Sequence, residues 1–310
     1  MTPRSPSKRK WIPTDRDFAI LADLGELGIM TTRMIHKRHW SEGTGVRACQ
    51  ERLSLFRQEG LMAERRLAVT ERQGTKIEPH DLVGPNPTAF VLLPKGAEFL
   101  ETHNGIVAKR VSRSEPSHAT LLHRLFVVAC RLAFDAGFGS HAPRWIHEQD
   151  CVPGVGLAES AEQRHVLYER FRLEDRFAWL RPDASCLIQI AEPNDSVRFV
   201  VAYWEIDRST NSPEREFGKA SGYDCLLRTK GYQRHWPELK EMEPDAVRVF
   251  YVCESQKRID ELSNVFRALS IARFYRFVIR SRLLTTPDPT VAIWQDVQGR
   301  KYSILRQPSP

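Results

Sequence analysis

The sequence predicts a two-domain protein of mixed α+β structure: an N-terminal winged helix-turn-helix followed by a C-terminal α/β sandwich. Three amphipathic helical segments within the first 60 residues, with apolar strand segments behind them, predict the first domain. Later, the order helix, β-hairpin, helix, strand predicts the second. We place a basic disordered tail at 1–13, the winged helix at 14–110 and the α/β domain at 117–300.

Composition agrees with a globular chain of this size. The 310 residues are 41% hydrophobic and 27% charged, which is enough apolar material for two packed cores. No apolar run approaches the roughly 18 residues of a membrane span, and residues 1–10 lack the apolar segment of a secretory signal. The six cysteines are scattered without a Cys-x-x-Cys pair, which argues against a disulfide framework or a structural zinc site. We therefore expect a cytoplasmic protein with no membrane partner.

The first two helices are indicated by their end signals. Thr14 precedes Asp15 and Asp17, which is typical of a helix start, and Gly25 and Gly28 mark the exit. A second, short helix is expected from Thr31. A polar turn at 41–43 then separates it from the third helix.

The third helix is expected from about residue 44 to residue 59. Its apolar positions, Val46, Cys49, Leu53 and Phe56, are three or four residues apart and predict one buried stripe, and Gly60 ends the helix. Segments 61–69 and 89–93 are expected to form the wing. In a helix-turn-helix, the helix in this position reads the DNA.

Charge favours a nucleic-acid partner for this domain. Residues 1–72 contain 14 Lys and Arg against 9 Asp and Glu, so five of the seven excess positive charges lie there. We predict contacts to double-stranded DNA from the outer side of the third helix and from the wing. The candidate residues are Arg47, Gln50, Ser54 and Arg57 on the helix, with Arg65, Arg66 and Arg72 on the wing. Against this, any amphipathic helix has a polar outer face, and small helical bundles without a DNA partner are common.

The second domain is expected to begin with a long helix over 117–136. Segments 184–190 and 197–206 are rich in Val, Ile, Phe and Tyr and are separated by a turn signal at 192–195, so they predict an antiparallel hairpin. A helix over 212–228 should turn Phe217, Ala220, Tyr223 and Leu227 inward. The remaining predicted elements are a strand at 247–253, a helix at 259–269, and strands at 274–280 and 291–297. Segments 144–150 and 159–176 read as mixed strand and loop.

Acidic residues collect at the open end of the predicted hairpin. Its register places Asp183 opposite Trp204 or Glu205, while Glu205 and Asp207, two apart on one strand, point to one face. Three carboxylates should then converge, and they would repel one another unless cations compensate them. The compensating cations could be Arg181, Arg208 and Lys219, or a bound Mg²⁺ or Mn²⁺ ion.

The pattern Arg181-Pro182-Asp183, hairpin, Glu205-Ile206-Asp207 and helix resembles the core of PD-(D/E)xK nucleases. The resemblance implies that Asp183 and Glu205 are metal ligands, with Asp207 as a third. Asp207 stands where that family usually has its catalytic lysine, so an active site would need Lys219 from the next helix instead. The catalytic set would then be Asp183, Glu205, Asp207 and Lys219, with Mg²⁺ or Mn²⁺ as cofactor.

More narrowly, residues 205–210, followed by Lys219 and Tyr223 and preceded by a winged-helix-like head, are similar to the replication-relaxation family of plasmid and mobile-element proteins. This resemblance extends from about residue 14 to residue 284. It implies a DNA-binding accessory protein in plasmid or integrative-element replication, relaxation or mobilisation, with a homodimer and a relaxase or replication protein as possible partners. Two alternatives stay open: an active Mg²⁺-dependent endonuclease, and a dimeric transcriptional regulator with a degenerate nuclease domain.

Overall fold

A computed structural model describes residues 11–40, 45–66, 88–153, 155, 160–173, 176–191, 196–209, 211–286 and 288–305. The chain divides into two compact units, Met1–Leu125 and Phe126–Pro310, which are described separately below. The predicted turns at 41–43 and 192–195, the tail up to Lys10 and the wing residue Arg72 lie outside the described residues.

The first unit combines helices with a small antiparallel sheet in the order β1-β3-β2. Its elements are α1 (Asp15–Leu27), β1 (Met30–Thr31), α2 (Thr32–His39), α3 (Val46–Gln58), β2 (Met62–Arg66), β3 (Thr88–Leu92) and α4 (Pro94–Asn104). The next helix, α5 (His118–Phe138), begins in this unit and continues into the second.

Local signals account for the first helix. The Thr14 amide donates to Asp17 Oδ2 at 2.8 Å, and Gly28 ends the helix in the left-handed region at φ 83°, where glycine is favoured. The start signal and the exit at Gly28 are confirmed, whereas Gly25 lies within the helix and does not end it.

The third helix has the predicted buried stripe with one exception. Cys49, Leu53 and Phe56 are buried, whereas Val46 is 53% exposed, so its predicted burial is wrong. Val46 is the first residue of α3, where no preceding helical turn covers it. Trp11, within the predicted tail, stacks on Phe99 at 5.3 Å between ring centroids.

The second unit is built on a mixed seven-stranded sheet with the order β12-β11-β10-β9-β8-β7-β4. After α5, its elements are β4 (Arg144–His147), α6 (Ala161–Arg164), β5 (Glu169–Leu173), β6 (Arg176–Leu180), β7 (Ala184–Ala191), β8 (Val197–Ile206), α7 (Pro213–Arg228), α8 (Tyr232–His235), β9 (Ala246–Cys253), α9 (Gln256–Phe266), β10 (Tyr275–Ile279), α10 (Arg280–Thr285), β11 (Trp294–Gln295) and β12 (Lys301–Tyr302).

The predicted hairpin and the strands at 247–253 and 274–280 are confirmed, whereas the strand predicted over 291–297 is reduced to the two residues of β11. Strands β7 and β8 pair antiparallel with Ala184 opposite Trp204, which sets Asp183 beside Glu205. Strand β9 is parallel to β8 and to β10, so the connections through α7 and α9 cross over the sheet. The carboxyl ends of β8 and β9 therefore meet at the edge where the acidic residues lie.

Alternation along the strands separates two covered faces. Tyr203, Tyr251 and Phe277 point to the face that packs against α7 and α9. On the other face, Trp204 meets Phe134 of α5 at 4.8 Å between ring centroids. Aromatic residues thus fill both layers of the unit.

One predicted core position on α7 is wrong. Phe217 is 47% exposed, while Ala220 and Tyr223 are buried as predicted. The segments read as mixed strand and loop contain β4 and the separate hairpin β5–β6. Gly222 lets α7 approach that hairpin, since a Cβ there would lie 2.8 Å from the Phe171 ring.

No helix in the described part of the chain combines the length and apolar character needed to cross a bilayer.

Candidate functional site

Asp183 ties the start of β7 to the end of β8. Its amide donates to the Trp204 carbonyl at 3.1 Å, and its Oδ2 accepts the Ile206 amide at 2.7 Å. The preceding Pro182 cannot donate, which is tolerated outside the paired strand. Asp183 is 9% exposed, so its carboxylate is buried at the open end of the hairpin.

Glu205 lies at the centre of the acidic end and is 1% exposed. Lys219 Nζ of α7 donates to Oε2 at 2.7 Å, and the Tyr223 hydroxyl, one helical turn on, donates to Oε1 at 2.6 Å. The structure thus brings Lys219 onto the predicted carboxylate. Burial raises the pKa of Glu205 to about 7, Lys219 opposes this rise, and Asp183 adds to it.

Lys219 remains a cation in this setting. Burial acts to lower its pKa, but the negative potential of Glu205 and Asp183 outweighs burial and raises that pKa above its ordinary value. Its side chain is 29% exposed, so it connects the buried carboxylate with solvent.

Asp207 has a separate partner. The Arg258 side chain of α9 donates from Nε to Oδ2 at 2.7 Å, and both side chains are at most 7% exposed. The Ser209 amide donates to Oδ1 at 3.1 Å. Arg258 also donates to the Asn211 carbonyl at 3.0 Å, which pins the chain after β8 to α9.

Glu216 is an acidic neighbour that sequence reasoning missed. It is 1% exposed and accepts from Asn211 Nδ2 at 2.6 Å and from the Tyr251 hydroxyl at 3.0 Å. Its charge contributes to the raised pKa of Glu205. A signal was available, because Glu216 lies one helical turn before Ala220, on the inward side of the predicted helix. We call Asp183, Glu205, Asp207 and Glu216 the carboxylate cluster.

The oxygens of the carboxylate cluster do not fit a metal ion as they are placed. Both oxygens of Glu205 accept short hydrogen bonds from protein donors, and Arg258 and Ser209 occupy those of Asp207. Among the described residues, no three His, Cys, Asp or Glu side chains lie where they could hold a metal ion together. The catalytic and metal-binding roles assigned to Asp183, Glu205, Asp207 and Lys219 stay predictions.

Arg181 and Arg208 were the other predicted counter-charges. Arg181 donates to the Glu148 carbonyl at 3.0 Å and lies 3.8 Å from the carboxylate of that residue. Arg208 is half-buried, and its charge helps to lower the pKa of Glu254 against the raising effect of burial. Arg181 thus contacts Glu148, and Arg208 acts on Glu254 through its charge.

The predicted DNA contacts of α3 lie on its open side. The Arg47 side chain is 92% exposed and pairs with Glu51 at 2.8 Å, one turn further along. Gln50 is exposed and Ser54 is half-buried. Arg57 is 48% exposed and forms an ion pair with Glu64 of β2.

The two predicted wing arginines that the structure describes differ in exposure. Arg66 is 88% exposed and shares Glu64 with Arg57, with an Nε–Oε1 distance of 3.1 Å. Arg65 is 23% exposed and lies 3.6 Å from the Glu115 carboxylate. Glu64 is therefore the carboxylate that balances two of the proposed DNA contacts.

The site and the fold define a two-unit α+β protein with an arginine-bearing third helix and a mixed sheet that collects carboxylates at one edge. A family model described as replication-relaxation matches residues 21–238, well over half of the chain. The protein belongs to the replication-relaxation family. No curated protein and no solved structure matches the chain.

Proposed function

We propose that this protein binds duplex DNA through its N-terminal unit, as an accessory protein in the replication, relaxation or mobilisation of a plasmid or integrative element. The observation that carries the proposal is α3: Cys49, Leu53 and Phe56 face the core, while Arg47 and Gln50 face outward. The order helix, strand, helix, helix and two paired strands supports a winged helix for this unit. Family membership supplies the biological setting.

Exposed ion pairs leave these arginines available to phosphates. The pair between Arg47 and Glu51 and the pairs of Glu64 with Arg57 and Arg66 lie at the surface, where such pairs contribute at most about 1 kcal/mol. A DNA phosphate can therefore replace the carboxylate at little cost. Release of condensed counterions would then drive binding.

For the C-terminal unit we propose a supporting role: dimerisation, clamping of DNA, or contact with a relaxase or replication protein. The support is the bonding of the carboxylate cluster, in which Lys219, Tyr223 and Arg258 already occupy the acidic oxygens. Such fully bonded buried networks specify a unique packing. A role in pairing subunits would also serve a winged helix that reads two half-sites.

Replacing Arg47 and Arg57 tests the DNA interface. We expect the Arg47→Ala and Arg57→Ala double variant to bind duplex DNA at least about tenfold more weakly, with a log-log salt slope smaller by about two. Fluorescence anisotropy with labelled duplex at several salt concentrations measures both. A matched control is Arg228→Ala, since Arg228 is 70% exposed and also pairs with an acid one turn away. Binding that ignores salt, or equal losses in both variants, contradicts the proposal.

Neutralising Glu64 tests the same surface in the opposite direction. We expect Glu64→Gln to bind DNA more tightly, by up to about fivefold, because Arg57 and Arg66 lose their competing carboxylate. Glu101→Gln on α4 makes the same change in net charge at another exposed position. If both variants gain the same DNA affinity, net charge alone explains the gain, and the assignment of the DNA interface to Arg57 and Arg66 is wrong.

The endonuclease alternative has one favourable observation, the contact of Lys219 with Glu205 beside Asp183. Supercoiled plasmid with Mg²⁺ or Mn²⁺ distinguishes it from the accessory role. We expect equal, background nicking by the wild type, Asp183→Ala and Glu205→Gln. Metal-dependent nicking that Glu205→Gln abolishes would replace the proposed supporting role with catalysis.

A further inference from the structure

A small pocket opens on the sheet face opposite to α7 and α9, away from the carboxylate cluster. Arg198 of β8, Arg248 of β9 and Arg276 of β10 line it, together with the rings of Trp294 and Tyr302. Strand register places the arginines there, because Arg248 has the opposite orientation to Val249 and Tyr251, which face α7 and α9. The room in the pocket is about 140 Å³.

Two of these arginines lack an acidic partner within the part of the chain that the structure describes. Arg248 donates to the Val247 carbonyl at 2.8 Å. Arg276 donates to the Tyr275 carbonyl at 2.7 Å and stacks on Tyr302, with its guanidinium carbon 4.3 Å from the ring centroid. Neither guanidinium therefore forms an ion pair with a carboxylate of the described residues.

The acid that contacts Tyr302 of the pocket is already bonded. Asp296 is 2% exposed and accepts from Arg300 Nε at 2.7 Å and from the Tyr302 hydroxyl at 2.9 Å. Its charge also acts on Arg276 and raises the pKa of that group against the lowering effect of burial. Arg248 and Arg276 still outnumber this one carboxylate, which already pairs with Arg300.

Burial disfavours the charged form of both arginines, and the charge of Arg276 adds to this effect at Arg248. Burial lowers the pKa of Arg248 to about 10, and the charge of Arg276 contributes. Burial also lowers the pKa of Arg276. Both groups stay charged at neutral pH, so an anion that enters the pocket would relieve their repulsion.

Size and donor geometry select the kind of anion. The pocket is smaller than the roughly 300–1,000 Å³ typical of small-molecule sites, so it would take one compact group. Guanidinium groups match phosphate oxygens with paired N–H donors. We propose that Arg198, Arg248 and Arg276 form a binding site for a phosphate group, and that the rest of a nucleotide lies outside the pocket, beside the half-buried Tyr302.

Thermal unfolding in the presence of anions tests the site. We expect phosphate and pyrophosphate, compared with chloride at matched ionic strength, to raise the melting temperature of the full-length wild type. Arg248→Met and Arg276→Met should each weaken phosphate binding by at least about tenfold, while the Arg47→Ala and Arg57→Ala double variant keeps the wild-type response. An equal phosphate response in the pocket variants, or no response in the wild type, overturns the proposal.

A measurement on the wild type alone guards against variants that fail to fold. Phenylglyoxal modification can be mapped by mass spectrometry, with Arg47 as an exposed internal control. At a phosphate concentration ten times the dissociation constant, we expect Arg248 and Arg276 to react about tenfold more slowly, with Arg47 unchanged. Equal protection of all three arginines, or of none, overturns the site.

The source of the phosphate is resolved by comparing ligands. A nucleoside triphosphate, a 5′-phosphorylated single strand and the same strand with a 5′-hydroxyl are titrated against wild type and Arg248→Met. Preference for the triphosphate assigns a free nucleotide, and preference for the phosphorylated strand assigns a DNA end. Either assignment also requires that Arg248→Met binds the preferred ligand more weakly than the wild type. Equal binding of all three ligands, with no weakening in Arg248→Met, contradicts the site. Failure here leaves duplex binding by α3 untouched, because that test uses Arg47 and Arg57.

Discussion

The carboxylate cluster and the basic pocket place charges in the same sheet in opposite ways. At the start of β7 and the carboxyl end of β8, each buried acid meets donors of the protein, as Asp207 meets Arg258 at 2.7 Å. At the amino ends of β9 and β10, Arg248 and Arg276 meet main-chain carbonyls and a ring instead. Because a buried charge is costly without a partner, the first arrangement serves the fold and the second is prepared for a ligand.

Breaking the ion pair between Asp207 and Arg258 should have the largest effect on stability. We expect Arg258→Met to lower the free energy of unfolding by about 3–5 kcal/mol, because Asp207 would stay buried without its cation. Urea unfolding followed by circular dichroism measures the loss. A loss below about 1 kcal/mol would show that Asp207 finds solvent or another donor, and the contrast between the two regions would fail.

The pH dependence of Glu205 sharpens the contrast within the cluster. Its pKa of about 7 in the folded protein exceeds the ordinary value of 4.5, so the folded state binds the proton more tightly than the unfolded state. The stability that protonation provides is present below about pH 4.5 and is lost as the pH rises towards 7. The loss amounts to roughly 3 kcal/mol.

Glu205→Gln removes that titration. We therefore expect the free energy of unfolding of the variant, relative to that of the wild type, to rise by up to roughly 3 kcal/mol as the pH increases from about 5 to about 8. Urea unfolding at each pH measures this difference. The difference between the two proteins is the proper measure, because burial lowers the pKa of His235 and makes its contribution rise with pH in both. A constant difference across this range would mean that Lys219 keeps Glu205 ionised throughout.

Sequence patterns predicted what depends on neighbouring residues. The cap at Thr14, the buried stripe of α3 and the hairpin of β7 and β8 follow from end signals and from alternation, and the structure contains them. The contact of Lys219 with Glu205 followed from the same register, because one helix after the hairpin must return across its open end. The predicted burial of Val46 and Phe217 was wrong. Hydrophobic periodicity identifies the inward face of a helix, but it does not show how much of that face other elements cover.

Partners distant in the chain could not be predicted in this way. Asp207 and Arg258 are 51 residues apart, and only the parallel pairing of β8 with β9 brings α9 to the end of β8. Arg248 carried a visible signal, a cation inside an apolar strand, but its meaning depends on the short strands β11 and β12 that wall the pocket. Burial by remote segments, rather than local propensity, decides these charges.

The smallest expected effect completes the comparison. Arg248→Met should leave the free energy of unfolding unchanged or raise it by up to about 1 kcal/mol, because methionine keeps the apolar stem and removes a buried charge that has no acidic partner in the described chain. The same urea experiment as for Arg258→Met measures it, in chloride buffer without phosphate. With added phosphate, the wild type should become more stable than Arg248→Met, since phosphate stabilises the wild type and leaves the variant unaffected. If Arg248→Met instead loses as much stability as Arg258→Met, Arg248 is a structural cation, and the two regions differ in position alone.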